Sequence, residues 1–143
     1  MQVYQIMSQP VDVISPSTTS REAARRMRDE NIGSLPVGEN GQLIGMVTDR
    51  DIVARAVAEN ALPSNTAVRT VMSQGLYYCF EDETLVQAVR IMADHQVRRL
   101  PVLNRDQQLV GIIAIADIAR TGYREAEDVA IEGVSQPSDG PRR

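Results

Sequence analysis

Apolar residues recur along this chain in two rhythms, and the rhythms change in the same order in both halves. In the second half Leu85, Ala88, Val89 and Met92 occupy positions i, i+3, i+4 and i+7, one face of a helix. In the first half Ala23, Ala24 and Met27 fall on one side. Thr19 followed by Glu22 fits a capping box that opens a helix through Glu30. Upstream of it, the alternation from Val11 to Ile14 predicts a short strand, broken by Ser15-Pro16-Ser17. Downstream, Asn31-Ile32-Gly33 ends the helix. A short strand is then predicted over Ser34 to Val37, with its counterpart at Arg99 to Leu103. A second strand is predicted over Leu43 to Val47, with its counterpart at Leu109 to Ala114. A further helix is predicted from Asp49 to about Glu59, and from Ile115 to about Tyr123. The order in each half is β-α-β-β-α.

The two halves are copies of one unit. Ile6-Met7-Ser8-Gln9 returns as Val71-Met72-Ser73-Gln74, and Val3, Ala23, Met27 and Asp29 return as Val68, Ala88, Met92 and Asp94. Leu35-Pro36-Val37 returns as Leu100-Pro101-Val102, all at one offset of 65. Beyond it the offset is 66: Gln42-Leu43, Gly45 and Asp51-Ile52 match Gln108-Leu109, Gly111 and Asp117-Ile118. The inserted residue falls where the first copy reads GENG and the second LNRDQ, turn chemistry in which a hairpin tolerates an extra residue. Pro36 and Pro101 lack the N–H of an interior ladder, so these strands are expected at an edge or irregular. The boundaries read from the repeat are 3–59 for the first domain, 60–67 for a linker and 68–122 for the second. Residues 123–143 complete the last helix and form a tail expected to be disordered. Units of this size bury too little surface to stand alone, so two of them are expected to share a core.

Composition narrows the functions open to the chain. The sequence has 143 residues, 43% of them hydrophobic but only 3% aromatic, so aliphatic side chains must build the core. A net charge of −4 argues against general attraction to nucleic acid or an anionic membrane. Cys79 is the only cysteine and His95 the only histidine, which excludes an intramolecular disulfide, a multi-histidine zinc site and a serine-type triad. No apolar run approaches the length that spans a bilayer. The start, MQVYQIMSQPVDV, lacks the charged and apolar regions of a secretory signal, so a cytoplasmic protein is expected. Nothing groups a nucleophile with a base, and there is no P-loop or dinucleotide fingerprint, so an enzyme is not expected.

The segment richest in candidate chemistry is Gly45-Met46-Val47-Thr48-Asp49-Arg50-Asp51. It admits two readings. In one, Thr48 is a helix N-cap and Asp51 the third-residue carboxylate of a capping box. In the other, the same helix start receives a nucleotide: orphan N–H groups and the Thr48 hydroxyl meet phosphate, and the Asp51 carboxylate accepts from ribose hydroxyls. Arg98 and Arg99 carry forks suited to phosphate, with alternation along a strand directing only one of them to a site. Arg50 has the choice between phosphate and a surface pair. His95 reads as a helix-end residue, Cys79 as a small buried hydrophobe, and Tyr77 and Tyr78 as alternating faces of one strand.

With these residues in view, the two copies resemble CBS domains. The resemblance rests on Ile32-Gly33-Ser34-Leu35-Pro36-Val37 followed by Gly45 to Asp51 in the first copy. In the second copy it rests on His95 to Val102 followed by Leu109-Val110-Gly111-Ile112-Ile113. It implies an α/β (α+β) fold of tandem βαββα repeats packed as a pseudo-twofold pair, with a cleft that often takes AMP, ADP, ATP or S-adenosylmethionine. It implies that Thr48 faces phosphate and Asp51 holds ribose. Adenine would then lie near Val13, Ile14 and Ile32 in one copy and Tyr77, Tyr78 and Val97 in the other. The second copy departs from the pattern, with Ala114 in place of Thr48 while Asp117 remains. One good site per chain is therefore expected. The resemblance further implies a homodimer and, since no effector domain is attached, a possible separate effector protein. The alternative is an interaction module that binds no nucleotide.

Overall fold

Thr19 opens the first helix, α1 (Ser20–Glu30), as its sequence predicts. Its hydroxyl accepts from the Glu22 N–H at 3.1 Å. Glu22 turns toward Arg25 instead of back to the cap, so half of the box forms. Ala23 and Met27 are buried, and Ala24, expected beside them, is exposed. In α3 (Leu85–His95) the box is complete, with Thr84 and Gln87 bonded reciprocally, and Leu85, Ala88, Val89 and Met92 are buried. Asn31 and Gln96 close the two helices in the left-handed conformation, at φ 54° and 56°. A computed structural model of the chain describes residues 1–9, 11–74 and 76–122. The end of the last predicted helix at Tyr123 and the tail expected to be disordered lie outside them.

Each copy folds its central residues into an antiparallel hairpin. In the first, β1 (Ser34–Glu39) pairs with β2 (Gln42–Thr48) through Asn40 and Gly41, both at positive φ as a tight two-residue turn requires. In the second, β4 (Arg99–Leu103) pairs with β5 (Leu109–Ala114) across the longer turn. There the Asn104 side chain accepts from the Asp106 and Gln108 N–H groups. Both hairpins carry a register shift one residue after the proline, at Val37/Gly38 and Val102/Leu103.

The irregularity expected at the prolines is present in both hairpins, and the edge position holds for β1 of its two-stranded sheet but not for β4. β4 lies between β5 and a short parallel strand, β3 (Cys79–Phe80), and β1 carries a parallel bridge from Ile14 to Val37 on its other side. The Ile14 N–H donates to the Pro36 carbonyl at 3.1 Å, and the Ile14 carbonyl accepts from the Gly38 N–H at 2.9 Å. A ladder continued upstream would need the carbonyl of Asp12 to accept from the N–H that Pro36 lacks. The strand expected over Val11 to Ile14 therefore shrinks to one bridge. The same register leaves Tyr77 and Tyr78 ahead of β3 rather than in it.

The fold is α+β, and its compact units are not the sequence repeats. One unit is Asp12–Leu76. The other joins the described residues of Met1–Val11 to those from Tyr77 to Gly122. The leading segment of each repeat thus packs in the unit of the other. In the first unit, Ser73 forms an antiparallel bridge to Met46 with bonds of 2.8 and 3.0 Å, and Val68 and Val71 join a cluster with Ile14, Met27, Leu35, Val37, Val47 and Ile52. In the second, Ser8 bridges Ile112, and Val3 joins Leu85, Val89, Met92, Leu100, Ile113 and Ile118. The repeated Met-Ser pair explains the repeated glycine. A Cβ on Gly45 would meet Met72 Sδ at 2.7 Å and Ser73 O at 2.9 Å, and one on Gly111 would meet Met7 Sδ at 2.5 Å.

Candidate functional site

β2 runs directly into a helix. α2 (Asp49–Ile52) continues as a wider π turn over Val53–Val57. Thr48 and Asp51 form the complete capping box. Thr48 Oγ1 accepts from the Asp51 N–H at 3.0 Å, and Asp51 Oδ2 accepts from the Thr48 N–H at 2.9 Å. The Asp51 side chain is nearly buried, and its second oxygen lies 3.4 Å from Arg55 Nη1. The cap reading of these residues is thus present in the geometry. It also uses up the orphan amides that were to attract phosphate. The Asp49 N–H donates to the Gly33 carbonyl at 3.0 Å, the Arg50 N–H to Asp49 Oδ1 at 2.7 Å, and the Asp51 N–H to Thr48. What stays available for a ligand is the Thr48 O–H as donor and the remaining lone pairs of Asp51 Oδ1 as acceptors.

The Gly33 carbonyl draws the end of α1 onto this helix start, so Ile32, half-buried, sits beside it in the chain. Val13 is 40% exposed and lies across Gly38, where a Cβ would come within 2.9 Å of its Cγ2. Ile14 is turned into the core, while Val13 is exposed and Ile32 half-buried. Arg50 is exposed on the first turn, and Arg55, not Arg50, makes the surface pair.

The second copy repeats the frame without the hydroxyl. α4 (Ile115–Ala119) follows β5, the Ile115 N–H donates to the Arg98 carbonyl at 2.9 Å, and Asp117 Oδ2 accepts from the Ala114 N–H at 3.1 Å. Ala114 gives nothing back, so only half of the box exists, and Asp117 pairs with Arg120 at 3.3 Å. Val97 is in the core, packed with residues of α3 and β4. Arg98 is exposed and Arg99 half-buried, as alternation at a strand start predicts. Tyr77 and Tyr78 are both half-buried. Tyr77 stacks on His95, the last residue of α3, with ring centroids 4.5 Å apart, and Tyr78 meets Phe80 edge-on at 5.5 Å. Cys79 is fully buried, and burial, helped by Glu83, pushes its thiol up to about 12.

The residue that sequence reasoning missed is Arg55. Its only sequence signal is a place four residues after Asp51, a spacing that many solvated pairs share. No group of three or more His, Cys, Asp or Glu among the described residues is arranged to hold a metal ion. Among the described residues, no helix is long and apolar enough to cross a membrane.

Two βαββα copies, each with a helix start after a glycine-bearing strand, define a CBS-domain pair, and the chain belongs to the CBS domain family, which it matches over residues 3–58 and 68–123. Among its relatives, it is 42% identical over 117 residues to the CBS domain-containing protein YhcV of Bacillus subtilis, covering 82% of each chain. It is 37% identical over 116 residues to hypoxic response protein 1 of Mycobacterium tuberculosis, covering 80% of each. The solved structure of Hypoxic Response Protein I with two coordinated zinc ions matches with a TM-score of 0.77 at 36% identity, covering 84% of this chain and 98% of that one. The CBS pair of protein MJ0100, in complex with 5-methylthioadenosine and S-adenosyl-L-methionine, matches with a TM-score of 0.72 at 28% identity, over 85% and 95% of the chains. CBSX2 in complex with AMP matches with a TM-score of 0.73 at 28% identity, over 86% and 96%.

Proposed function

We propose that this chain is a regulatory module, not an enzyme, that binds an adenine nucleotide at the helix start following β2. The observation that carries the reading is the Thr48–Asp51 pair. One side chain holds a hydroxyl hydrogen and the other a carboxylate oxygen that the capping box does not consume. Thr48 donates to a phosphate oxygen and Asp51 Oδ1 accepts from the ribose. Val13 and Ile32 supply apolar contact, and Arg50 screens the phosphate charge. AMP, ADP or ATP is the expected ligand, supported by the AMP and S-adenosylmethionine complexes of structural relatives. Asp117 with Ala114 lacks the phosphate donor, so the second copy is the weaker site. The ligand acts by favouring one conformation or assembly, to the extent that it binds that state better.

Millimolar AMP, ADP or ATP raises the melting temperature of the wild type in this reading, because a ligand bound only by the folded chain stabilises it by mass action. Asp51→Ala is a poor control, since it also removes a cap contact typically worth about 1 kcal/mol. Asp51→Asn keeps an acceptor for the Thr48 N–H and removes the charge. The shift should shrink in Asp51→Asn and in Thr48→Val. A shift of equal size in all three proteins would refute the site.

A specific surface favours a protein partner in addition. Val53, Val57 and Leu62 are 59%, 56% and 64% exposed, with Val53 and Val57 one turn apart. A second copy of the chain, in the cytoplasm, is the expected occupant, with a separate effector protein as the alternative. Sedimentation equilibrium should give a dimer that Val57→Asp dissociates. A monomer at every concentration would contradict this part of the reading.

A further inference from the structure

Arg55 joins two parts of the first unit that the repeat does not connect. It lies in the π turn after α2, and its side chain is half exposed. Its Nη1 donates to the Val71 carbonyl at 2.8 Å and reaches Ser73 Oγ at 3.4 Å and Asp51 Oδ1 at 3.4 Å. Val71 and Ser73 belong to the segment that crosses onto β2 before the chain continues to Tyr77. Asp51 belongs to the candidate nucleotide site. Three acceptors thus face one nitrogen with two hydrogens, so they compete for it.

We propose that Arg55 is a positioning residue that couples the Asp51 carboxylate to the crossing segment 71–73, so that occupation of Asp51 changes how firmly that segment is held. The ligand half of this inference rests on the nucleotide reading above. The direction follows from this competition. When a ribose hydroxyl donates to Asp51 Oδ1, the carboxylate shares its charge and draws less on Arg55. The freed N–H turns to Ser73 and Val71, and the segment tightens. Coupling between equilibria is reciprocal, so a firmly held segment also favours the ligand. The arrangement belongs to the first copy. At the position matching Arg55 the second copy has Thr121, whose hydroxyl donates to the Ile118 carbonyl of its own turn.

The test is amide exchange at Ser73, whose N–H is bonded to the Met46 carbonyl at 2.8 Å, referred to the amides of α1 as a measure of unfolding of the whole unit. Without ligand, Arg55→Met should speed Ser73 exchange roughly five-fold, the loss of one half-exposed hydrogen bond of ordinary strength. Asp51→Asn should slow it about two-fold in the wild-type background and have no effect in the Arg55→Met background. Equal effects of Asp51→Asn in both backgrounds would overturn the coupling, whether or not any nucleotide binds. With AMP as the probe, the wild type should show a further slowing at Ser73 that Arg55→Met lacks even when saturated. AMP that binds without changing Ser73 exchange overturns the inference and spares the binding site. AMP that fails to bind the wild type refutes the nucleotide reading, and the ligand-free cycle alone then decides the coupling.

Discussion

Single side chains in this protein serve two masters, and Asp51 is the plainest case. Its carboxylate caps a helix and pairs with Arg55, and the proposed function asks it to accept from a ligand as well. The spacing of Thr48 and Asp51 made the cap legible in the sequence, and the same spacing is what suggests the proposed site. Arg55 was not legible, since its strongest partner, the Val71 carbonyl, comes from a crossing segment that no local pattern reveals. Cys79 carries a separate prediction. Its thiol titrates near the ordinary value in the unfolded chain and near 12 in the folded one. The folded state therefore holds a proton that the unfolded state has lost, so stability falls as pH rises from about 9 toward 12. Urea unfolding of wild type and Cys79→Ala across that window should show a steeper alkaline decline in the wild type. Parallel curves would mean that the thiol has no part in it.

At the level of elements, the hairpins and helices follow from periodicity and turn chemistry, and the single-residue insertion falls where the turn accommodates it. The first strand of each copy is where the reading ran long. Alternation from Val11 to Ile14 satisfies a strand pattern, yet a proline on the partner strand removes the donor that its upstream carbonyl needs. That restriction lies in pairing, which one strand's own pattern does not encode. The glycines show the same thing. Gly45 and Gly111 repeat for no local reason, and both lie under a methionine and a serine carbonyl from a crossing segment. The flexible methionine can give way but the carbonyl cannot, and the carbonyl is closer at Gly45 (2.9 Å) than at Gly111 (3.2 Å). Gly45→Ala should therefore lower the urea midpoint more than Gly111→Ala, with a cost of about 1–3 kcal/mol for such overpacking. An equal or reversed order would show that the methionines, not the carbonyls, set the limit.

Over the whole molecule, the duplication is what the sequence displays most openly, and it led to the family. What it concealed is that each compact unit borrows its leading segment from the other copy, because a repeat in sequence says nothing about which copy a segment packs on. The duplication is also unequal in chemistry: the first copy holds Thr48 and Arg55 where the second holds Ala114 and Thr121. The central claim is that the first copy carries the nucleotide site. Calorimetric titration with AMP tests it most directly, comparing wild type with Asp51→Asn and with Asp117→Asn. The account predicts one AMP per chain, weakened at least ten-fold by Asp51→Asn and little changed by Asp117→Asn. No binding of AMP to the wild type, or an affinity that depends on Asp117 and not on Asp51, would contradict it.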